Sequence, residues 1–544
     1  MFFVALLLVG YPLFELIRTA LAGPSGPSGA WHTISTRPVA MALLHTVEVS
    51  AAATILATLL GVAMALLVAR SDLPFRRWFA GAWVAPLIIP AYVTGLAWLD
   101  AYTQAGLTDQ VAHLSAGWII GPVGVALLLG LQGAPLAYLL ILSALSSGRI
   151  GELEDAARIS GRTPARVLWE ITLPLVKTAI FGSMLLVFVS SASDFGIPAI
   201  LAIPASYSTV TTLIYSDLSF AGGTHAIASA SSLSAVLGLL AIVLLFTSNR
   251  VSRTNSGSTR SNGLASSARP LIAFGRFRNL VVTGCLLILV LTTVLPLMAL
   301  YITSVSPAFR LELSPSHWVA SAYAQALSGA NIAALGRSAL IAAAAAIIVA
   351  TGGALVALWN RRPTRLATLT STLLSLPFAL PGSVVAIAIL LAWERWLYGS
   401  LFIILIAYVA RFAVIGVRTS AVTMGGLSDD LVHAARASGA SARRASRDVI
   451  WPVLIPGIVT SFAIVFLLGI HELTMSSLLY GPSTQTFAVA VLASEEAGQT
   501  ALTASLAIVV TVITTIVAGV ALFARSSRKI VAAEAGIEVP PWQK

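Results

Sequence analysis

Apolar runs of about 20 residues or more recur along nearly the whole chain, and no other feature restricts its fold so tightly. A helix of that length crosses the hydrocarbon core of a bilayer. Of the 544 residues, 58% are hydrophobic and only 10% are charged, against about 25% charged in a soluble domain. So little charge cannot cover the surface of the two or more soluble domains that this length would otherwise make. The surface must face lipid, and the expected fold class is all-α integral membrane. Twelve candidate spans follow. In the first half they run about 2–21, 43–69, 78–100, 118–146, 178–200 and 225–247. In the second half they run about 279–303, 336–359, 366–393, 399–422, 457–480 and 501–524. The first run also admits a signal-peptide reading ending near Ala22, but it lacks a basic stretch ahead of its apolar core.

The formal net charge of +11 raises the question of nucleic acid, and its distribution answers it. Twenty-six of the 32 Lys and Arg fall in alternate loops and the tail, whereas only Arg18, Arg37, Arg310, Arg337 and Arg395 fall on the other side. Arg411 lies inside a span. This is a positive-inside bias, which predicts cytoplasmic termini in a plasma (inner) membrane and no nucleic-acid partner. A segment at 248–278, rich in Ser, Gly, Asn and Arg, reads as a flexible cytoplasmic linker. It divides the chain into membrane domains 1–247 and 279–525, followed by a tail at 526–544.

The halves repeat one another. Asp155-Ala156-Ala157-Arg158, Gly161 and Ile171-Thr172-Leu173-Pro174 recur as His433-Ala434-Ala435-Arg436, Gly439 and Val449-Ile450-Trp451-Pro452, at an offset of 278. The same offset pairs Thr163 with Ser441 and Asp194 with Glu472. Pro86 and Pro90 pair with Pro377 and Pro381 at an offset of 291. Six spans per half return the chain to its starting side, so the two repeats are parallel. An inverted repeat, the usual plan of an ion-coupled secondary transporter, needs an odd number.

The repeated loop has a definite local shape. Residues 149–160 permit a helix, and Gly161 allows a reversal that needs positive φ. Thr163 before Pro164 suits an N-cap followed by proline at the first helical position. A short second helix is then expected to reach about Leu173, with Pro174 marking the return to the membrane. Gly439, Ser441 and Pro452 repeat the plan. A helix–turn–helix of this kind is a stiff knob that can transmit force.

The pattern Glu-Ala-Ala-x3-Gly-x9-Ile-x-Leu-Pro is the signature loop of ABC importer permeases, and the first copy resembles it with Asp155 for the Glu. The second copy departs further, with His433, Val449 and Trp451 for Glu, Ile and Leu, but keeps the Gly, the Pro and their spacing. The resemblance covers both halves and implies the type I permease fold. It also implies that Asp155, Ala156, Ala157, Gly161, Thr163 and Pro174, and likewise His433, Ala434, Ala435, Gly439, Ser441 and Pro452, form coupling loops. Each would dock on one of two ATPase subunits, which carry ATP and Mg. A periplasmic or lipid-anchored binding protein would deliver the cargo. Among fused twelve-span permeases the chain is most similar to ferric-iron importers, through Ser193-Asp194-Phe195-Gly196-Ile197-Pro198, Tyr207 and the run Thr211 to Tyr215. Thiamine or another small solute is the alternative cargo, and an ion-coupled secondary transporter the alternative class.

No catalytic set is expected. None of the three lysines, Lys177, Lys529 and Lys544, lies in a P-loop, so no cofactor is assigned to this chain. No His, Asp, Glu or Cys group has metal-ligand spacing, and the single Cys285 sits in an apolar run. Ionisable residues in spans need either a role or a structural partner. Asp194, Glu472 and Arg411 are the candidates for a translocation path. Asp194 and Glu472 can equally be helix ends meeting a backbone amide, and Arg411 can pair with Glu472 or a backbone carbonyl. His45, Glu48 and Asp100 sit near span ends. The paired prolines are expected to kink the helices that carry them.

Overall fold

The computed structural model describes residues 1–22, 35–221, 223–253, 270–307, 311–361, 364–425 and 427–534. Among these the regular elements are all helices, and the only β-pairing is one bridge between Ser71 and Ile272. Ten helices are long and apolar enough to cross a membrane, and two further spans are broken. In the first repeat the unbroken spans are α1 (Phe2–Leu21), α2 (Arg37–Arg70), α5 (Pro122–Leu145), α7 (Pro164–Ser193) and α9 (Gly223–Arg253). The broken span comprises α3 (Arg76–Ala82), a 3-10 turn, and α4 (Ala91–Tyr102). Between α5 and α7 lies α6 (Gly148–Ile159), and α8 (Gly196–Leu201) follows α7.

The second repeat follows the same order. It holds α10 (Gly275–Val305), α11 (Gly329–Trp359), then the broken pair α12 (Arg365–Ala379) and α13 (Gly382–Leu397). Next come α14 (Leu401–Met424), the short α15 (Asp429–Ala437), α16 (Ala442–Ile470), α17 (Thr474–Leu479), α18 (Phe487–Glu496) and α19 (Thr500–Glu534). Among the described residues, ten candidate spans and two bent pairs thus stand where twelve spans are expected, with the prolines doing more than kinking. The two broken spans bend by 99° and 116°, with Pro90 and Pro381 heading the second helix of each. Proline removes a donor from the helical ladder and crowds the preceding turn, so the chain turns there.

Each repeat is built on a three-helix core, α2–α5–α7 and α11–α14–α16. Without a hydrophobic drive between helices in lipid, close approach of small residues must supply the packing. At the α11–α14 crossing a Cβ added to Gly353 would lie 2.2 Å from the backbone of Gly416. A Cβ added to Gly61 would lie 2.6 Å from Ala137 at the matching α2–α5 crossing.

The first span of each repeat crosses over to the other. Helix α1 packs on α13 and α9, and α10 packs on α4 and α19. Tyr11 of α1 meets Trp393 of α13 edge-on at 5.8 Å. Trp98 Nε1 of α4 donates to the Thr292 carbonyl of α10 at 3.3 Å, and the Tyr102 hydroxyl donates to the Leu291 carbonyl. Direct α9–α13 and α4–α19 contacts complete the seam. The sequence divisions at 247, 279 and 525 fall inside helices, since α9 continues to Arg253, α10 begins at Gly275 and α19 continues to Glu534. Residues 254–269 of the expected linker and 535–544 of the expected tail lie outside the described residues.

Adjacent glycines in α11 make a sharp test of the crossing. Gly353→Ala should destabilise the protein by about 1–3 kcal/mol through overpacking, whereas Gly352→Ala, where an added Cβ meets nothing within 4 Å, should be silent. Thermal unfolding of both variants in the same detergent measures the difference, and equal midpoints would contradict the crossing described.

Candidate functional site

The two repeated loops form matched knobs at one end of the molecule. In the first, α6 ends at Ser160 and Gly161 takes φ +81°. An added Cβ there would meet nothing within 4 Å, so backbone conformation alone demands the glycine. Three backbone hydrogen bonds close the turn: Ser160 to Ala156, Gly161 to Arg158 and Arg162 to Ala157, at 3.0–3.1 Å. In the second knob Gly439 takes φ +87°. The same three bonds recur 278 residues on: Ser438 to Ala434, Gly439 to Arg436 and Ala440 to Ala435. The Ala-Ala pairs thus supply carbonyls that hold the turn, and Ala157 is also buried against Val167 and Leu271.

One expectation about these loops holds in part and another needs correction. Thr163 takes the extended N-cap conformation but its side chain makes no capping bond, whereas the Ser441 oxygen accepts from Arg444 N at 3.3 Å. Pro164 already starts the helix with its donor removed, so the cap has less to satisfy. Pro174 and Pro452 do not mark a second boundary. Both knobs run unbroken into spans α7 and α16, through a π turn at Leu168–Thr172 and at Ser446–Ile450. The extra residue of a π turn frees the backbone positions that a proline in the next turn would otherwise disrupt.

The knobs differ in their side chains. The first shows apolar groups, with Ile159 88% and Trp169 70% exposed, and an Arg162–Glu170 ion pair nearby. The positions 278 residues later are Ala437 and Arg447. The second knob carries Arg436, Arg443, Arg444 and Arg447, with Arg444 paired to Asp448 at 3.6 Å. Asp155 and His433 both face outward, at matched places on α6 and α15.

One residue that sequence reasoning missed anchors the first knob. Glu154, beside Asp155, is 2% exposed and pairs with Arg70 at the end of α2 at 2.8 Å. Thr172 Oγ1 donates to the same carboxylate at 2.7 Å, and Arg70 Nη2 donates to the Leu145 carbonyl at 2.8 Å. The ends of α2, α5, α6 and α7 are thereby tied in one buried network. The available signal was the spacing of Ile150, Glu154 and Ala157, which puts Glu154 on the buried face of α6. The counterparts of Glu154 and Thr172 are Val432 and Ile450, which pack with Leu427 and Leu454. The residues leading into α10 complete the first anchor. Leu271 and Ile272 donate backbone N–H to the Arg70 carbonyl at 2.8 and 2.9 Å.

The intramembrane polar residues cap broken helices. Asp194 Oδ1 accepts from Ile197 N of α8 at 2.9 Å. Glu472 accepts from Met475 N and Ser476 N of α17 at 2.9–3.2 Å. Arg411 Nη1 donates to the Leu380 carbonyl at 2.5 Å, where α12 has ended. Gln132, the eleventh residue of the 24-residue α5 as Arg411 is of α14, donates to the Ile89 carbonyl at 3.3 Å. Of the alternatives the sequence left open, the carboxylates meet backbone amides and Arg411 meets a backbone carbonyl. Farther out, His45 stacks on Tyr207 at 3.8 Å, and the Tyr207 hydroxyl donates to Glu48 at 3.2 Å. Burial, with Glu48 alongside, pushes the Tyr207 phenol up, so it remains a donor. No group of three His, Cys, Asp or Glu side chains that could hold a metal occurs among the described residues.

Breaking the anchor leaves one charge buried without its partner, a loss of about 3 kcal/mol or more. Glu154→Ala should lower the unfolding midpoint and speed amide exchange over 148–162, while His433→Ala leaves exchange over 426–440 unchanged. Exchange in the first knob that is indifferent to Glu154 would argue against the anchor.

Comparison with known proteins bears on both repeats. Residues 57–254 and 346–530 match the family described as binding-protein-dependent transport system inner membrane component. The crossed spans α1 and α10 lie outside both matched segments. The chain is 28% identical to an Fe(3+)-transport system permease protein of Haemophilus influenzae, over 82% of this chain and 83% of that protein. It is 24% identical to a ferric transport system permease protein of Actinobacillus pleuropneumoniae, over 82% of this chain and 65% of that protein. A molybdenum transport system permease protein of Escherichia coli is 27% identical over 99% of its own length, which takes only 41% of this chain.

Proposed function

The chain belongs to the family of binding-protein-dependent transport system inner membrane components, and we propose that it is the permease of an ATP-driven importer of ferric iron. It is a multi-pass ABC permease, a transport subunit, and its family implies ABC ATPase and substrate-binding partners. The observation that carries the reading is the pair of knobs, identical in backbone bonding and each continuous with a span. Ferric iron is the cargo named for relatives that align over most of the chain.

In this reading each knob sits in a groove of one ATPase subunit, two copies in all, with ATP and Mg bound there. The termini and knobs face the cytoplasm, in accord with the arginine bias. ATP binding draws the ATPases together and the knobs with them. A helix that runs from the knob into the bilayer acts as a lever. Displacement of the first knob is passed to α2 and α5 by the Arg70–Glu154 network, and displacement of the second by apolar packing around Leu427 and Leu454. The first span of each repeat is packed on the other, so rocking one repeat moves the seam as a whole. Exposed Ile159 and Trp169 suit an apolar socket, and the arginines of the second knob suit an acidic rim.

The chain co-expressed with its ATPase and binding protein, in lipid nanodiscs, tests this. Ferric-loaded binding protein should raise the ATPase rate while thiamine leaves it at baseline. Iron without effect and thiamine active would replace the cargo. Failure of any ATPase to co-purify would remove the coupling role. Trp169→Ala should weaken ATPase docking by about 2 kcal/mol, the scale of an aromatic anchor, without lowering the permease's own unfolding midpoint.

A further inference from the structure

A cavity of about 280 Å³ lies on the seam between the repeats, at the end away from the knobs. The first repeat contributes α4 and the turn after it, and the second contributes α10, α18 and α19. Its polar lining is Asp100, Thr103, Gln104, Thr303, Glu495, Thr500 and Thr503, and no described lysine or arginine lines it. Asp100 and Glu495 come from opposite repeats and line the same cavity. Both are half-buried. The Thr503 hydroxyl, in a residue 2% exposed, has no hydrogen-bond partner among the described residues. A buried hydroxyl without a partner is costly, so the cavity suits an occupant that its oxygens can bond.

The occupant is defined by the donors. Two carboxylates, hydroxyls and an amide oxygen are hard ligands, which favour hard cations over soft ones. Two carboxylates sharing one cavity repel unless a proton or another positive charge lies between them. They do not amount to a dry coordination shell, because no third carboxylate, His or Cys joins them. At about 30 Å³ per water, the volume accommodates an ion together with part of its hydration shell. At the corresponding contact of α1 with α13 lies an apolar gap of about 10 Å³, and the residue matching Asp100 at the offset of 291 is Leu391. The acidic cavity therefore belongs to one seam and is not a by-product of the fold.

We propose that this cavity binds a hydrated, multivalent hard cation, held by Asp100 and Glu495, with Thr503, Thr303 and Gln104 bonding its water shell. The position lets the site open and close as the repeats move, since its two charges ride on different repeats. The inference does not depend on the cargo proposed above.

Terbium(III) is a suitable probe, because the ring pair Trp98 and Tyr102, 4.9 Å apart on α4, can sensitise its emission. The full chain in phosphatidylcholine nanodiscs should show one saturable Tb³⁺ site. Emission lifetimes in H2O and D2O should report several retained waters. Asp100→Asn or Glu495→Gln should each weaken binding about tenfold or more, as expected when one charged ligand is lost, and the double variant should abolish it. Thr503→Val should weaken binding while keeping the unfolding midpoint, and Glu394→Gln, an exposed carboxylate on the other seam, should change nothing. Binding that survives in the correctly folded double variant, or no sensitised emission at saturating Tb³⁺, would overturn the proposal. Either outcome leaves the permease reading standing, since ATPase assembly tests that separately.

Discussion

Every backbone N–H and C=O at membrane depth must find a partner inside the protein, because lipid offers none. This constraint explains why the regular elements among the described residues are all helices and why the departures from helix are so heavily tied. The prolines at 90 and 381 interrupt a span in each repeat and free carbonyls just before them. Gln132 and Arg411 reach from the neighbouring span to those carbonyls. Where α7 and α16 end within the fold, Asp194 and Glu472 accept the amides of the short helices that follow. The polar residues that a hydropathy reading marks as anomalous are the ones that make irregular backbone tolerable.

The two repeats keep a common backbone and spend their side chains differently. The same three hydrogen bonds close both knobs, yet one knob is anchored by a buried ion pair and the other by Val432, Ile450, Leu427 and Leu454. A buried pair is weak evidence for stability, but it is specific in direction and partner. It ties α6 to α2 and α7 in one geometry. The carbonyl at one break meets a neutral amide and its counterpart meets a guanidinium. The carboxylate at Asp100 has Leu391 as its match. Backbone geometry is thus shared while charge is not, so the two halves can meet different partner surfaces and line one seam with acid and the other with hydrocarbon.

Parallel six-span repeats, the reversal at Gly161 and Gly439, the loop-bearing face and the family were legible in the sequence. Each depends on local properties: run length, positive φ, charge per loop, residue spacing. The capped reading of Asp194 and Glu472 was legible only as one of two choices. Thr163 is the N-cap before a proline, as its place in the sequence suggests, but its hydroxyl makes no capping bond. Pro174 and Pro452 read as boundaries because a proline usually ends a helix, but the preceding π turns absorb them.

The sequence by itself determined that the chain lies in a bilayer, how many times it crosses, and which loops repeat, because hydrophobicity, charge and glycine act on the chain where they stand. Only the tertiary structure decided that the first spans change places, that Glu154 rather than Asp155 is buried against Arg70, and that Asp100 and Glu495 line one cavity across the seam. Those pairings join residues 84 and 395 positions apart. They depend on how helices rotate about their own axes when packed, and no property of a single segment records that angle.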